Sequence, residues 1–425
     1  MRKQMRPYTQ SGDDRGPASR FSTRLVWLLL LVSLLVSCRP DLVRYNNRSL
    51  CSSYLDDTRL PDSTDLRFGI PANEYAAGLQ WTWLPNDAQF SLYTVDDILH
   101  LIDHSGHLVA EQDHDRPNWP NALMSVSSML DMYALTFGSS YGQREEVTEV
   151  YSFHDLPQEE LAPLAMLREL ERPVWHPTEP MLADKYPVGN ATVLASNLVA
   201  VFDLTQSLET PTILLELDWS DIDRVIGWNF DGSTLAVNQW GKNGLAPVYV
   251  DVETGTRTIS SFATSPQNCA IHPEWSPTAH SLAFQGRTEN SEGFDIFIEK
   301  AITGNRGQSV STNLTNSLGE DEGSVSWSPD GTQIAYVHGY LDEVGAYQQE
   351  LARIVVDENS LEPVQLTGTA DEFETRPQWI SNNEIAYLSW FPSESRWYLK
   401  TLSIDRPEES PQTIMEIPQS WYRVP

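Results

Sequence analysis

The chain of 425 residues carries 59 acidic side chains against 28 Lys and Arg, a formal charge of −31. Nucleic acid is excluded as a favourable partner, because a polyanion needs a basic face that releases counterions and no basic run occurs beyond the first 24 residues. The 14 Trp and 16 Tyr, with Gly and Pro scattered throughout, suit many short strands joined by turns.

The amino terminus reads as an address. Arg2, Lys3, Arg6, Arg15, Arg20 and Arg24 precede an apolar run over residues 25–36. A bilayer span takes about 20 apolar residues, so this shorter run is the hydrophobic region of a secretory signal. It ends in Leu35-Val36-Ser37-Cys38, which resembles the bacterial lipobox. The resemblance implies a signal peptide over 1–37, acylation of Cys38 and a mature chain anchored to a membrane of the cell envelope on its extracytoplasmic side. An unrelated signal anchor is the alternative. Residues 38–70 hold no sustained apolar period and read as a flexible tether. Cys51 and Cys269 leave open one disulfide or two inert thiols, and no CxxC or Cys/His spacing suggests zinc.

Residues 71–425 repeat. Trp327-Ser328-Pro329-Asp330-Gly331 leads to Ile334-Ala335-Tyr336, and Trp228-Asn229-Phe230-Asp231-Gly232 leads to Leu235-Ala236-Val237. Trp83, Trp175, Trp275 and Trp379 open further copies, and a seventh begins at Val126, with Tyr133-Ala134-Leu135 seven residues on. The starts are separated by 43, 49, 53, 47, 52 and 52 residues, the length of one four-stranded unit. A large apolar anchor ends an inner strand, a Pro-Asp-Gly type turn reverses the chain, and an apolar triplet begins the next strand. Third strands are predicted at 98–103, 150–155, 199–204, 248–252, 296–299, 354–357 and 399–404. Leu161, Leu164, Leu167 and Leu170 lie near helical spacing and predict a short helix within 157–171.

The Trp-Ser-Pro-Asp-Gly copies resemble the WD-like repeat of TolB-type proteins and of the non-catalytic domain of prolyl-oligopeptidase-type peptidases. The resemblance implies an all-β chain forming a single β-propeller of seven four-stranded blades, with six or eight still open. It specifies fold more than function.

Gly138-Ser139-Ser140-Tyr141-Gly142 satisfies a GxSxG pattern, yet a nucleophile elbow needs a strand before and a helix after, and residues 143–153 alternate like a strand. Ser140 is therefore not taken as a nucleophile, and the chain is expected not to be an enzyme. His100, His104, His107 and His114 lie near Asp103, Asp113 and Asp115, but the turn at Ser105-Gly106 puts His100 and His114 on different strands. They read as polar residues of a solvated hairpin, and neither metal nor other cofactor is expected. Asp218, Asp221 and Asp223 lack the Gly and terminal Glu of a calcium loop.

The candidate binding surface is the channel mouth, which the loops between units reach. Those loops carry Asp218 and Asp221; Glu320, Asp321 and Glu322; and Asp371, Glu372 and Glu374. Longer loops on the same face add Trp240, Tyr340, Tyr347, Trp390, Phe391 and Trp397. Arg172, His272 and Arg376, each in an Arg/His-Pro-x-Trp unit, bring three cationic groups to the entrance. With only five lysines, the acids are not expected to have Lys partners. The expected function is a lipid-anchored binding or scaffold module for an envelope protein or basic peptide segment. The alternatives are a lyase or glycan hydrolase with paired carboxylates in the channel, and a structural subunit of an envelope complex.

Overall fold

The computed structural model describes residues 79–422 except 95, 115–121, 128, 138–146, 157–160, 169, 171, 189–195, 207–210, 219–221, 242, 292, 301–308, 344, 357–361, 370, 407 and 408. Cys38, Cys51, Ser140 and Asp221 lie outside the described residues. Among the described residues the strands pair in sequence order as seven antiparallel four-stranded meanders. The first holds β1 Gln80–Leu84, β2 Gln89–Tyr93, β3 Ile98–Asp103 and β4 Leu108–Asp113. The second holds β5 Leu123–Ser127, β6 Met132–Phe137, β7 Val147–Ser152 and β8 Ala165–Arg168. The third runs β9 Val174–Trp175, β10 Met181–Val188, β11 Ser196–Asp203 and β12 Thr212–Asp218. The fourth is β13 Ile222–Trp228, β14 Thr234–Gly241, β15 Gly244–Asp251 and β16 Arg257–Ile259, and the fifth β17 Cys269–Trp275, β18 Ser281–Arg287, β19 Asp295–Lys300 and β20 Val310–Asn313. In the sixth stand β21 Asp321–Trp327, β22 Gln333–Leu341, β23 Tyr347–Val355 and β24 Val364–Gln365. The seventh closes the order with β25 Phe373–Ser381, β26 Glu384–Phe391, β27 Arg396–Ser403 and β28 Gln412–Glu416. This is a propeller-like all-β fold.

Every anchor named from the repeat falls in the first strand of a meander, Val126 included. The triplets that follow occupy the second strands and are buried: Ile334, Ala335 and Tyr336 are at most 1% exposed. Their side chains alternate between neighbours, Ala335 packing with Trp379 and Tyr387, Ile334 and Tyr336 with Ile296 and Ile298. Both faces of each meander are thus apolar, which is why the anchors recur without a polar face between them.

The turns explain the small residues. Asp330 accepts the Thr332 backbone N–H at 3.0 Å and the Ser328 hydroxyl at 2.7 Å, and Gly331 takes φ +70° with no room for a Cβ, which would lie 2.1 Å from Thr278 Oγ1 of the preceding meander. Glycine meets both demands.

The first and last meanders touch. Gln378 Oε1 of β25 accepts the Trp83 backbone N–H at 3.0 Å, and Gln378 Nε2 donates to the Trp81 carbonyl at 3.1 Å. Leu79, Trp81, Phe90 and Leu92 share one apolar cluster with Leu388, Trp390, Trp397 and Leu399, and Tyr422 near the carboxyl end joins it.

The helix expected within 157–171 is a strand instead. Ala165–Arg168 pairs with β7, Thr148 opposite Leu167, and exposure alternates there, Met166 out and Leu167 in. Pro163 withholds the amide hydrogen that a helix interior would need, so the leucine spacing was met by period-two burial.

Candidate functional site

Three first strands carry the same distortion. His272, Ser324 and Arg376 each stand three residues before an anchor Trp, each with positive φ of 45°, 50° and 52°. Pairing shifts there between Ile271 and Glu274, Gly323 and Ser326, and Thr375 and Gln378. Such bulges re-aim side chains, and a left-handed non-glycine residue stores about 1–3 kcal/mol that its surroundings must offset. Here the offset is visible. His272 Nδ1 lies 2.8 Å from Gln285 Oε1, and Arg376 Nη1 donates to the Leu79 carbonyl at 2.6 Å. Two of the expected entrance cations thus meet neutral oxygens of the wall. Arg172 keeps an exposed side chain, while its backbone N–H donates to Asp184 Oδ2 at 2.8 Å.

At the start of β21 the structure brings Glu320, Asp321 and Glu322 together with a residue that sequence reasoning missed, His338 of β22. His338 Nε2 stands 3.0 Å from Glu320 Oε2, and Glu322 pairs with His338 across the strands. One ligand atom each of Glu320, Glu322 and His338 lies within 4.8 Å of the others, a set able to hold an ion where none was expected from sequence. The signal was the strand register, since Glu322 and His338 are sixteen positions apart. Burial pushes the Glu322 carboxyl up to about 7, and neighbouring Asp295 and Glu320 add to the rise against the Thr315 hydroxyl that donates to it. Asp321 is also raised by burial, opposed by the Phe294 backbone N–H at 3.2 Å and by the charge of Arg287.

The acids before and within β25 divide three ways. Asp371 is exposed. Glu372 forms an ion pair with Lys400 at 2.5 Å and accepts the Ser389 hydroxyl at 2.6 Å. That pair corrects the expectation that the acids lack Lys partners: Lys400 also lies 4.6 Å from the Phe391 ring centre, so an aromatic wall makes the buried ammonium tolerable. Glu374 is fully buried, its carboxyl pushed up to about 9 by burial and by the nearby Glu350.

Other expected site residues are relocated. Asp218 ends β12, with its side chain outside the described set. Trp390 and Trp397 are core residues and not rim aromatics, because β26 and β27 turn them onto the first meander. His100 and His114 are not solvated hairpin residues either. His100 is buried against the Trp421 ring, centroids 3.6 Å apart, and His114 Nε2 lies 3.1 Å from the Tyr133 hydroxyl. His107, by contrast, is 80% exposed in its side chain, in the turn held by Asp103.

No protein-family model matches the chain, and no curated protein matches it. Solved structures do. A prolyl endopeptidase structure superposes with a TM-score of 0.58 at 12% identity, over 88% of this chain and 55% of that one. Prolyl oligopeptidase B from Galerina marginata gives 0.58 at 9% identity, over 89% and 55%, and oligopeptidase B from Leishmania major gives 0.55 at 10%, over 89% and 54%. The chain therefore spans about half the length of the peptidases it matches. At these identities the likeness shows the fold. It also corrects the expectation that the chain is not an enzyme: these three superposed proteins are peptidases, and a non-enzymatic role does not follow from the repeat.

Proposed function

We propose that this chain is a seven-bladed ring, tethered to the cell envelope through acylated Cys38, whose acidic inner-strand starts receive the cationic group of a peptide or envelope-protein segment in the service of peptide processing. The observation that carries the proposal is the Glu320, Asp321, Glu322 and His338 cluster. Burial raises Asp321 and, with crowding by Asp295 and Glu320, lifts Glu322 to about 7, so an arriving ammonium or guanidinium supplies the missing counter-charge. The peptidase likeness supports peptide as the ligand class, since the superposed proteins are endo- and oligopeptidases by name. Ring closure is supported by the Gln378 bonds to Trp81 and Trp83, which tie the seventh meander to the first.

Two measurements test the reading. Equilibrium binding of a Lys/Arg-rich decapeptide should exceed that of a Glu-rich decapeptide of the same length, and equal binding contradicts the cationic-ligand claim. Membrane fractionation should release Cys38→Ala chain that wild type retains, and identical retention contradicts the anchor.

A further inference from the structure

At the seam between the sixth and seventh meanders, β23 and β25 meet in parallel through Gln349 and Phe373. Two carboxyls face one another there, Glu350 at 2% exposure and Glu374 at 0%. Their oxygens are ringed by hydroxyls. The Thr369 backbone N–H donates to Glu350 Oε1 at 2.9 Å, and the Thr369 hydroxyl to Glu374 Oε1 at 2.7 Å. Thr367 Oγ1 accepts the Leu351 N–H at 2.8 Å and lies 2.9 Å from Glu350 Oε2 and 3.1 Å from Glu374 Oε2. A hydroxyl has one hydrogen, so Thr367 satisfies only one of the two carboxyls.

A second observation is independent of that count. Tyr387, fully buried in β26, has a hydroxyl with no hydrogen-bond partner, and Glu374, Glu372 and Glu350 all act electrostatically on it. Tyr387 packs in one cluster with Leu351 and Leu366, the chain neighbours of Glu350 and Thr367, and an unpaired polar atom buried in the cluster that borders the two carboxyls calls for an occupant. Lys400 does not supply the charge, since its ammonium is held by Glu372.

We propose that Glu350 and Glu374, with the hydroxyls of Thr367, Thr369 and Tyr387, form a calcium site that pins the sixth meander to the seventh. Every donor is oxygen, which selects a hard cation over zinc or copper, and two carboxylates match a divalent charge. Calcium fits better than magnesium because the enclosed set offers protein oxygens where magnesium keeps several waters. Two of these residues border a cavity of about 200 Å³, lined by Thr367, Gly368 and Thr369 on one side and by Leu402, Ser403 and Glu409 on the other. The residues are separate from the Glu320 cluster, so this site stands or falls independently of peptide binding.

The test is thermal unfolding of the chelator-stripped full chain at constant ionic strength, titrated with calcium chloride and, in parallel, magnesium chloride. Wild type and Glu320→Gln should gain several degrees with calcium and less with magnesium. Glu374→Gln keeps a side chain that can donate to Glu350 and should need at least about tenfold more calcium, as should Glu350→Gln if the first variant does not fold. Absence of a calcium response in wild type means that a shared proton alone holds the pair, and overturns the proposal. So does an equal response to both metals, or the same calcium midpoint in whichever Gln variant folds.

Discussion

The indole N–H of Trp379 donates to the carbonyl of Ser326 at 3.1 Å, bonding one anchor to the residue just before the preceding anchor. Trp327 does the same to Glu274 at 3.1 Å, Trp275 to Gly227 at 2.8 Å, and Trp175 to Ser125 at 3.1 Å. In these four copies the anchor Trp serves a bond between meanders as well as bulk, whereas the buried indole nitrogens of Trp83 and Trp228 have no hydrogen-bond partner. Trp379→Phe should cost about 1 kcal/mol, the worth of one buried hydrogen bond, and Trp379→Ala about 3–5 kcal/mol through the cavity. Urea denaturation reads both, and a neutral Phe variant contradicts the bonding role.

That bond also explains what the sequence made legible. The anchor spacing marks all seven first strands, and the Tyr133-Ala134-Leu135 triplet marks Val126 without a Trp, where the structure shows Ser125 still receiving the next anchor's indole. The apolar pattern marks third strands as shorter or later than they are: β23 begins at Tyr347, seven residues before the apolar Ile354 that signals it, since Gln348, Gln349 and Glu350 are buried polar residues with no apolar signature. The site was legible as a set of acids and opaque as chemistry. Nothing in spacing brings His338 to Glu320 or Lys400 to Glu372, because register across strands and the seam between meanders decide those contacts.

Glycine at the turn makes a sharper prediction. Gly331→Ala must take φ +70° and drive a Cβ to 2.1 Å from Thr278 Oγ1, whereas Gly345→Ala takes φ +81° with nothing within 4 Å. Both should lose about 1 kcal/mol or more to backbone strain, and Gly331→Ala should lose clearly more. Equal denaturation midpoints for the two would remove the contact between neighbouring turns from the account.

The Glu372 and Lys400 side chains are only 14% and 9% exposed. Lys400→Met should therefore destabilise by about 3–5 kcal/mol, by leaving a buried carboxylate uncompensated, while Lys400→Met with Glu372→Gln should recover most of the loss. Calorimetric unfolding of the two variants decides it, and an unrecovered double variant points to packing of the Lys stem against Phe391 instead.

Stability should fall as the solution turns alkaline. Glu322 and Glu274 are raised to about 7 and Glu374 to about 9, in each case chiefly by burial. A carboxyl with a raised folded value keeps its proton in the native state while the unfolded chain has lost it, so its contribution is full below about pH 4.5 and is lost as pH rises through the folded value. Each such group gives a slope of about 1.4 kcal/mol per pH unit within its window. In calcium-free buffer, denaturant midpoints should fall from pH 5 to 8 and continue falling to about 9, and Glu374→Gln should flatten the upper part. A midpoint that climbs with pH contradicts these protonation states.

The most direct test of the acidic receiving site is titration of the Lys/Arg-rich decapeptide into wild type, into Glu320→Gln/Asp321→Asn/Glu322→Gln, and into Asp231→Asn/Asp251→Asn/Glu253→Gln. The last variant removes equal charge: Asp231 follows the end of β13, whereas Glu320, Asp321 and Glu322 stand at the start of β21. Wild-type affinity should rise from pH 6 to 8 as Glu322 loses its proton, and the first variant should lose at least about tenfold in affinity and most of its salt dependence, chiefly through slower association. The control should bind like wild type. Equal weakening in both variants, or affinity indifferent to pH across that range, would show that the acidity serves solubility and that the ligand is received elsewhere.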